Sequence, residues 1–156
     1  MKKVLFISST GGHLSELMQL KPIFSNFDYH IITEKTDTTI KLKKEYGKRI
    51  DYLVYGARNY MFSYMFKFPY NILKSVYLYF KIKPDVIVTT GAHTAVPMCY
   101  IAKFFKKKII FIETFARVRS TSMSGRMITK IADKFLVQHE EMLEVYDNSI
   151  YEGDLY

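Results

Sequence analysis

Val86-Ile87-Val88 and Ile109-Ile110-Phe111-Ile112 are apolar without a break. A strand with one wet face alternates apolar and polar residues, whereas one that is apolar throughout must be covered on both faces. Further β-branched or aromatic runs extend the pattern, giving expected strands at 3–8, 29–33, 52–55, 86–90, 109–113 and 135–138. Helical spacing fills the gaps at 13–25, 38–46, 59–82, 94–105, 124–132 and 140–146. Strand–helix alternation of this kind predicts right-handed βαβ units. The fold class is therefore α/β, a Rossmann-like parallel sheet with helices on both faces. The 156 residues contain no repeat, low-complexity tract or linker, so residues 1–156 are expected to form a single domain.

Ligands of such sheets bind at the carboxyl ends of the strands. Chemistry is therefore expected in the loops after the first, fourth and fifth strands. The first loop reads Ser9-Thr10-Gly11-Gly12-His13 and leads into a helix. Glycines lack a Cβ, so backbone N–H groups there can approach a ligand closely, and the positive end of the helix dipole points to the same place. The lysine of a Walker A motif is missing and the glycines are adjacent rather than spaced, so neither the ATPase nor the dinucleotide fingerprint is met. A tight turn with no ligand is the plain alternative. His13 stands at a helix start, where a cation is disfavoured, which points to the neutral imidazole that a general base needs.

The fourth-strand loop, Thr89-Thr90-Gly91-Ala92-His93-Thr94, repeats the design. Gly91 and Thr94 would add donors to a paired anion site, although Thr94 is equally a candidate N-cap. His93 either lines that site or lies on the surface. Pro97 is tolerated in the first turn of the helix that follows. Glu113 closes an apolar strand with Arg117 four residues on. The pair reads as a site carboxylate with an arginine for phosphate, or as a surface ion pair of small worth. Ser122 is a candidate helix cap.

The formal charge is +8, from 23 basic and 15 acidic residues, so anionic partners are expected. Between Tyr52 and Pro84 there is no acid at all. Within that stretch, residues 58–83 read as an amphipathic segment that carries Arg58, Phe62, Phe66, Lys67, Lys74 and Lys81 among many other aromatics. The three lysines are seven apart and fall on one helical stripe, while Pro69 is expected to kink or break the helix. Lys67, Asn71 and Lys74 near its centre argue against a membrane span. A helix lying in the plane of an anionic membrane surface fits better, with lysines reaching the headgroups. A crossover helix ending in a protein–protein interface is the alternative. Nucleic acid is not expected, because the aromatics lie on a helix rather than on sheet strands. The single Cys99 excludes a disulfide framework or a cysteine-rich zinc site within the chain, and a reducing cytoplasm fits. The apolar run after Met1-Lys2-Lys3 is too short for a signal peptide.

Five segments in order resemble a known family: Ser9-Thr10-Gly11-Gly12-His13 with Glu16-Leu17-Met18; Lys83-Pro84-Asp85 leading to Thr90-Gly91-Ala92-His93-Thr94-Ala95-Val96-Pro97; Ile112-Glu113-Thr114-Phe115-Ala116-Arg117-Val118; Ser122-Met123-Ser124-Gly125-Arg126; and Val137-Gln138-His139. The chain looks like the membrane-associated subunit of two-part family-28-type glycosyltransferases. That group includes the eukaryotic anchor subunit of the dolichol-linked N-acetylglucosaminyltransferase and PssD-like proteins of capsule and exopolysaccharide synthesis. Two departures are Ala92-His93, where relatives often keep a second glycine, and His139, where relatives often have tryptophan.

The resemblance implies the equivalent of the N-terminal half of a GT-B glycosyltransferase. It also implies a separate donor-binding subunit for the UDP-sugar, a polyprenyl-diphosphate-linked acceptor, and a peripheral place on the inner face of the cell membrane. No cofactor and no metal are implied. His13 would be the general base, and Glu113 would orient a sugar hydroxyl, position His13 or serve as the base itself. Ser9, Thr10, Gly11, Gly12, Gly91, His93 and Thr94 would line the acceptor and diphosphate site, with Arg117 binding phosphate or bracing the partner. A non-catalytic membrane adaptor that recruits the catalytic partner, and a stand-alone nucleotide binder, are the competing readings.

Overall fold

A computed structural model describes residues 1–56 and 61–155, with side chains from Met65 onward in the second stretch. Arg58 and the Phe62 side chain lie outside the described residues. Seven parallel strands form one sheet: β1 (Lys3–Ser8), β2 (Asp28–Lys35), β3 (Ile50–Val54), β4 (Val86–Gly91), β5 (Lys108–Ile112), β6 (Lys134–Val137) and β7 (Ser149–Tyr151). They run in the order β3-β2-β1-β4-β5-β6-β7. Chain direction across the sheet reverses between β1 and β4, and the crevice at their carboxyl ends is where a sheet of this type holds ligands. Three-residue β7 is too short to have been legible as a run.

Side chains alternate across the sheet as the pleat requires. Val4 and Phe6 of β1 join Leu17 and Phe24 in one core layer. Leu5 and Ile7 face the other layer, with Tyr79, Met98 and Ile128. The first layer is built by α1 (Gly12–Gln19), α2 (Lys21–Phe24) and α3 (Leu42–Tyr46), and the second by α4 (Met61–Ile82), α5 (Val96–Phe104) and α6 (Met123–Ile128). The helix expected at 13–25 is two helices, because Pro22 in the first turn of α2 has no N–H with which to continue the ladder. Helix α4 runs through Pro69 without a break. On the α1 face, the strands β4 to β6 are left with an apolar groove of about 280 Å³, lined by Phe6, Leu20, Val88, Ile110, Ile112 and Leu136 among others.

Helix α4 buries Leu78, Tyr79 and Ile82 in the core, but its middle turns are inverted: Asn71 and Ser75 are buried, while Phe66, Leu73 and Tyr77 are each about two-thirds exposed. Tyr70, Val76 and Phe80 continue the exposed stripe, and Phe80 meets Phe105 beside the exposed Phe104 at the end of α5. Lys67 and Lys74 are half-buried, along one edge of the stripe. Lys81 departs from the expected role, because its ammonium lies 2.7 Å from Asp51 on β3. Among the described residues no helix is long and apolar enough to cross a membrane.

Asn71 explains why a polar residue faces inward. Its Nδ2 donates to the Val54 carbonyl at 2.8 Å and its Oδ1 accepts the Val54 N–H at 2.9 Å, closing the free edge of β3 as another strand would. Replacing it with leucine leaves both backbone groups unsatisfied. We expect Asn71→Leu to lower unfolding free energy in urea by about 2–4 kcal/mol; a loss below about 0.5 kcal/mol would contradict this account of the helix.

Candidate functional site

The carboxyl ends of β1 and β4 are laced together by a register slip. Ile7 pairs with Thr89 but Ser8 pairs with Gly91, so Thr90 is passed over. Its backbone and hydroxyl turn to His13 instead. The His13 Nδ1 lies 2.8 Å from the Thr90 carbonyl, and the Thr90 hydroxyl donates to the His13 carbonyl at 2.6 Å. A carbonyl only accepts, so Nδ1 carries a proton, and whenever the ring is neutral Nε2 is the nitrogen that holds the lone pair. The Ser9 N–H donates to the Gly91 carbonyl at 2.9 Å, and the Ala92 N–H to the Ser9 hydroxyl at 3.3 Å. Gly91 has φ +95°, a conformation that favours glycine, and a Cβ there would come to 3.2 Å from the Ser124 hydroxyl and into ordinary contact with the His13 ring.

Gly11 precedes α1 at φ +82°, and no side chain caps that helix start. Gly11 and Gly12 face open space. A helix start without a side-chain cap presents N–H groups and a positive partial charge to its surroundings.

His13, His93 and Arg117 line one open cavity of about 250 Å³ with Ala92, Thr114, Ser122, Met123 and Ser124. The expected residues Ser9, Thr10, Gly11, Gly12, Gly91 and Thr94 are not in its wall. Ser9 and Thr94 are buried beneath it, and the Thr94 hydroxyl neither caps α5 nor faces the cavity but donates to Glu34 at 2.8 Å. Arg117 is exposed and reaches the Ser120 hydroxyl at 3.0 Å rather than pairing with Glu113.

Glu113 is 1% exposed. Its Oε1 accepts the Thr114 N–H at 2.9 Å, and its Oε2 accepts the Tyr146 hydroxyl at 2.5 Å and the Ser122 hydroxyl at 2.8 Å. Burial and the Glu113 carboxylate push the Tyr146 phenol above its ordinary value, so it stays a donor. Ser122 in turn caps α6, as the sequence suggested, by accepting the Gly125 N–H at 2.8 Å. Gly125 has to be glycine, because a Cβ there would collide with Tyr146 and Glu113. The carboxylate therefore sits beneath the cavity wall and sets where Ser122 and Ser124 stand.

Two further glutamates carry no role in the sequence reading: Glu34 is absent from it, and Glu16 enters only within the first resembling segment. Glu34, 1% exposed near the end of β2, accepts the Thr10 N–H at 3.1 Å as well as the Thr94 hydroxyl. Glu16 on α1 accepts the Thr114 hydroxyl at 2.7 Å and the Phe115 N–H at 3.1 Å. The available signal was the one used for Glu113, an acid closing an apolar strand, which applies equally to Ile31-Ile32-Thr33-Glu34. Cys99 is buried and its thiol is pushed up to about 12 by burial, so it supplies no thiolate. Among the described residues no group of three His, Cys, Asp or Glu side chains could hold a metal ion.

Comparison with known proteins shows the family and the fold. The chain is 30% identical to the UDP-N-acetylglucosamine transferase subunit ALG14 of Debaryomyces hansenii over 175 residues, covering 97% of this chain and 75% of that protein. It is 27% identical to the subunit of the same name from Homo sapiens over 176 residues, covering 96% and 81%. Among solved structures it is similar in fold to MurG of Acinetobacter baumannii, with a TM-score of 0.72 and 15% identity over 90% of this chain. A UDP-N-acetylglucosamine 2-epimerase of Rickettsia bellii gives a TM-score of 0.70 and 18% identity over 99% of this chain. The chain spans only 43% of the former and 45% of the latter. The family model described as "Oligosaccharide biosynthesis protein Alg14 like" matches residues 4–155, and the chain belongs to that family.

Proposed function

We propose that this chain is the acceptor-side subunit of a two-part glycosyltransferase. A partner subunit holds the nucleotide-sugar, a UDP-sugar, and this chain presents a polyprenyl-diphosphate-linked glycan to it. The observation that carries the reading is the fixed tautomer of His13, whose basic Nε2 belongs to a ring lining an open cavity. At about 250 Å³ that cavity is smaller than the roughly 300–1,000 Å³ of complete small-molecule sites, which suits one wall of a shared cleft. The apolar groove over β4 to β6 gives a partner apolar surface to pack on. The match to somewhat under half of MurG fits a chain equivalent to the N-terminal half of a GT-B enzyme.

In the reaction we propose, the acceptor hydroxyl attacks the anomeric carbon of the donor sugar. Its proton passes to His13 Nε2, and the departing UDP takes the electron pair of the broken bond, which inverts that carbon. The open N-terminus of α1, His93 and Arg117 supply donors and positive charge for the acceptor diphosphate. We assign the base to His13 rather than Glu113, because both oxygens of Glu113 are already engaged by buried donors.

The membrane side of the proposal rests on inverted α4. An exposed stripe from Phe66 to Phe80, joined by Phe104 and flanked by Lys67 and Lys74, suits the headgroup layer of an anionic leaflet. Because α4 follows β3, its start lies at the same sheet edge as the cavity, which would bring a lipid-linked acceptor to the site. We place the chain peripherally on the cytoplasmic face of the cell membrane, in assembly of a capsule or exopolysaccharide.

In a complex reconstituted with its partner, His13→Ala should lower turnover by about 10²–10⁴-fold with complex formation intact. Wild-type turnover would remove His13 from the chemistry and leave the chain a membrane adaptor. In liposome flotation, reversing Lys67 and Lys74 together to glutamate should weaken binding to anionic vesicles by at least about thirtyfold, from about 1 kcal/mol per basic residue lost. Unchanged flotation would exclude the α4 surface as the anchor.

A further inference from the structure

Glu34 joins segments of chain that meet only at the switch between β1 and β4. Its Oε2 takes the Thr10 N–H of the first loop at 3.1 Å. Its Oε1 takes the Thr94 hydroxyl of the fourth-strand loop at 2.8 Å and the Gly56 N–H after β3 at 3.5 Å. The same oxygen lies 3.8 Å from His93 Nε2. Its side chain is 2% exposed, and among the described residues no lysine or arginine pairs with it. Burying a carboxylate costs several kcal/mol, and here the donors that offset the cost come from both glycine-containing loops. The bridge thus fixes how far apart the loops stand.

We propose that Glu34 is the positioning residue of the acceptor site. By tying Thr10 to Thr94 it sets the spacing between the open start of α1 and the His93 loop, and so the width available to the acceptor diphosphate. It touches no substrate itself. The inference rests on the acceptor-side reading above.

Three substitutions separate the bridge from the charge. Glutamine keeps both loop links, its carbonyl accepting the Thr10 N–H and its amide donating to the Thr94 hydroxyl, which can accept as well as donate, and it gives up only the long 3.5 Å contact from the Gly56 N–H. Glu34→Ala removes both links, and Thr94→Val removes one while leaving Glu34 in place. In the complex with its partner, initial rates are measured while donor and acceptor are varied separately. Glu34→Ala and Thr94→Val should raise the acceptor KM by about tenfold or more with the donor KM unchanged, and Glu34→Gln should stay within about threefold of the parent.

If Glu34→Gln were as damaging as Glu34→Ala, the charge and not the bridge would matter. If donor and acceptor KM rose together, the residue would serve only general stability. Either result, or a parental acceptor KM in Glu34→Ala and Thr94→Val, overturns the proposal. Should Glu34→Ala fail to fold, Thr94→Val carries the test alone. Failure of the acceptor-side reading itself would show separately, as full turnover in His13→Ala.

Discussion

Three buried glutamates hold the carboxyl edge of this sheet together. Glu34 links the first loop to the fourth-strand loop, Glu16 links α1 to the loop after β5, and Glu113 links that loop to α6. Among the described residues none of them pairs with a lysine or arginine. A carboxylate in that position is tolerated only if N–H and O–H donors reach it, so the loops that supply those donors have little freedom to move. The cavity formed by His13, His93 and Arg117 is the consequence. Its rim is built from loops, yet beneath each loop lies a buried glutamate side chain that ties it down by hydrogen bonds.

The same constraint explains what could be read in the sequence. The strands were legible because strands covered on both faces need unbroken apolar runs, and β1 runs over the residues expected. The cap at Ser122 was legible because capping is local. What escaped depends on distance along the chain. Thr94 looks like an N-cap from its neighbours alone; its hydroxyl is instead drawn to Glu34, 60 residues earlier. Glu113 looks like a catalytic carboxylate at a strand end; Tyr146, 33 residues later, and Ser122 turn it into a brace. Lys81 falls on a stripe with Lys67 and Lys74, and only the fold brings Asp51 beneath it.

The two faces of the sheet divide the surroundings between them. On one face α4 turns Asn71 and Ser75 inward and presents aromatics outward, an arrangement that water does not reward. On the other, a narrow apolar groove runs over β4 to β6, whose side chains there are buried or only partly exposed. Under the proposed function one of these surfaces serves lipid and the other a partner subunit, with the cavity at the carboxyl edge of the sheet.

The central claim is that the cavity serves a lipid-linked diphosphate and not a nucleotide. The direct measurement is binding by the unpartnered chain, with vesicles carrying a polyprenyl-diphosphate sugar compared against free UDP-sugar by calorimetry. The account predicts that the diphosphate lipid tightens vesicle binding beyond plain anionic vesicles of equal charge, with no heat from the UDP-sugar at millimolar concentration. Micromolar UDP-sugar binding, with no preference among the vesicles, would contradict it.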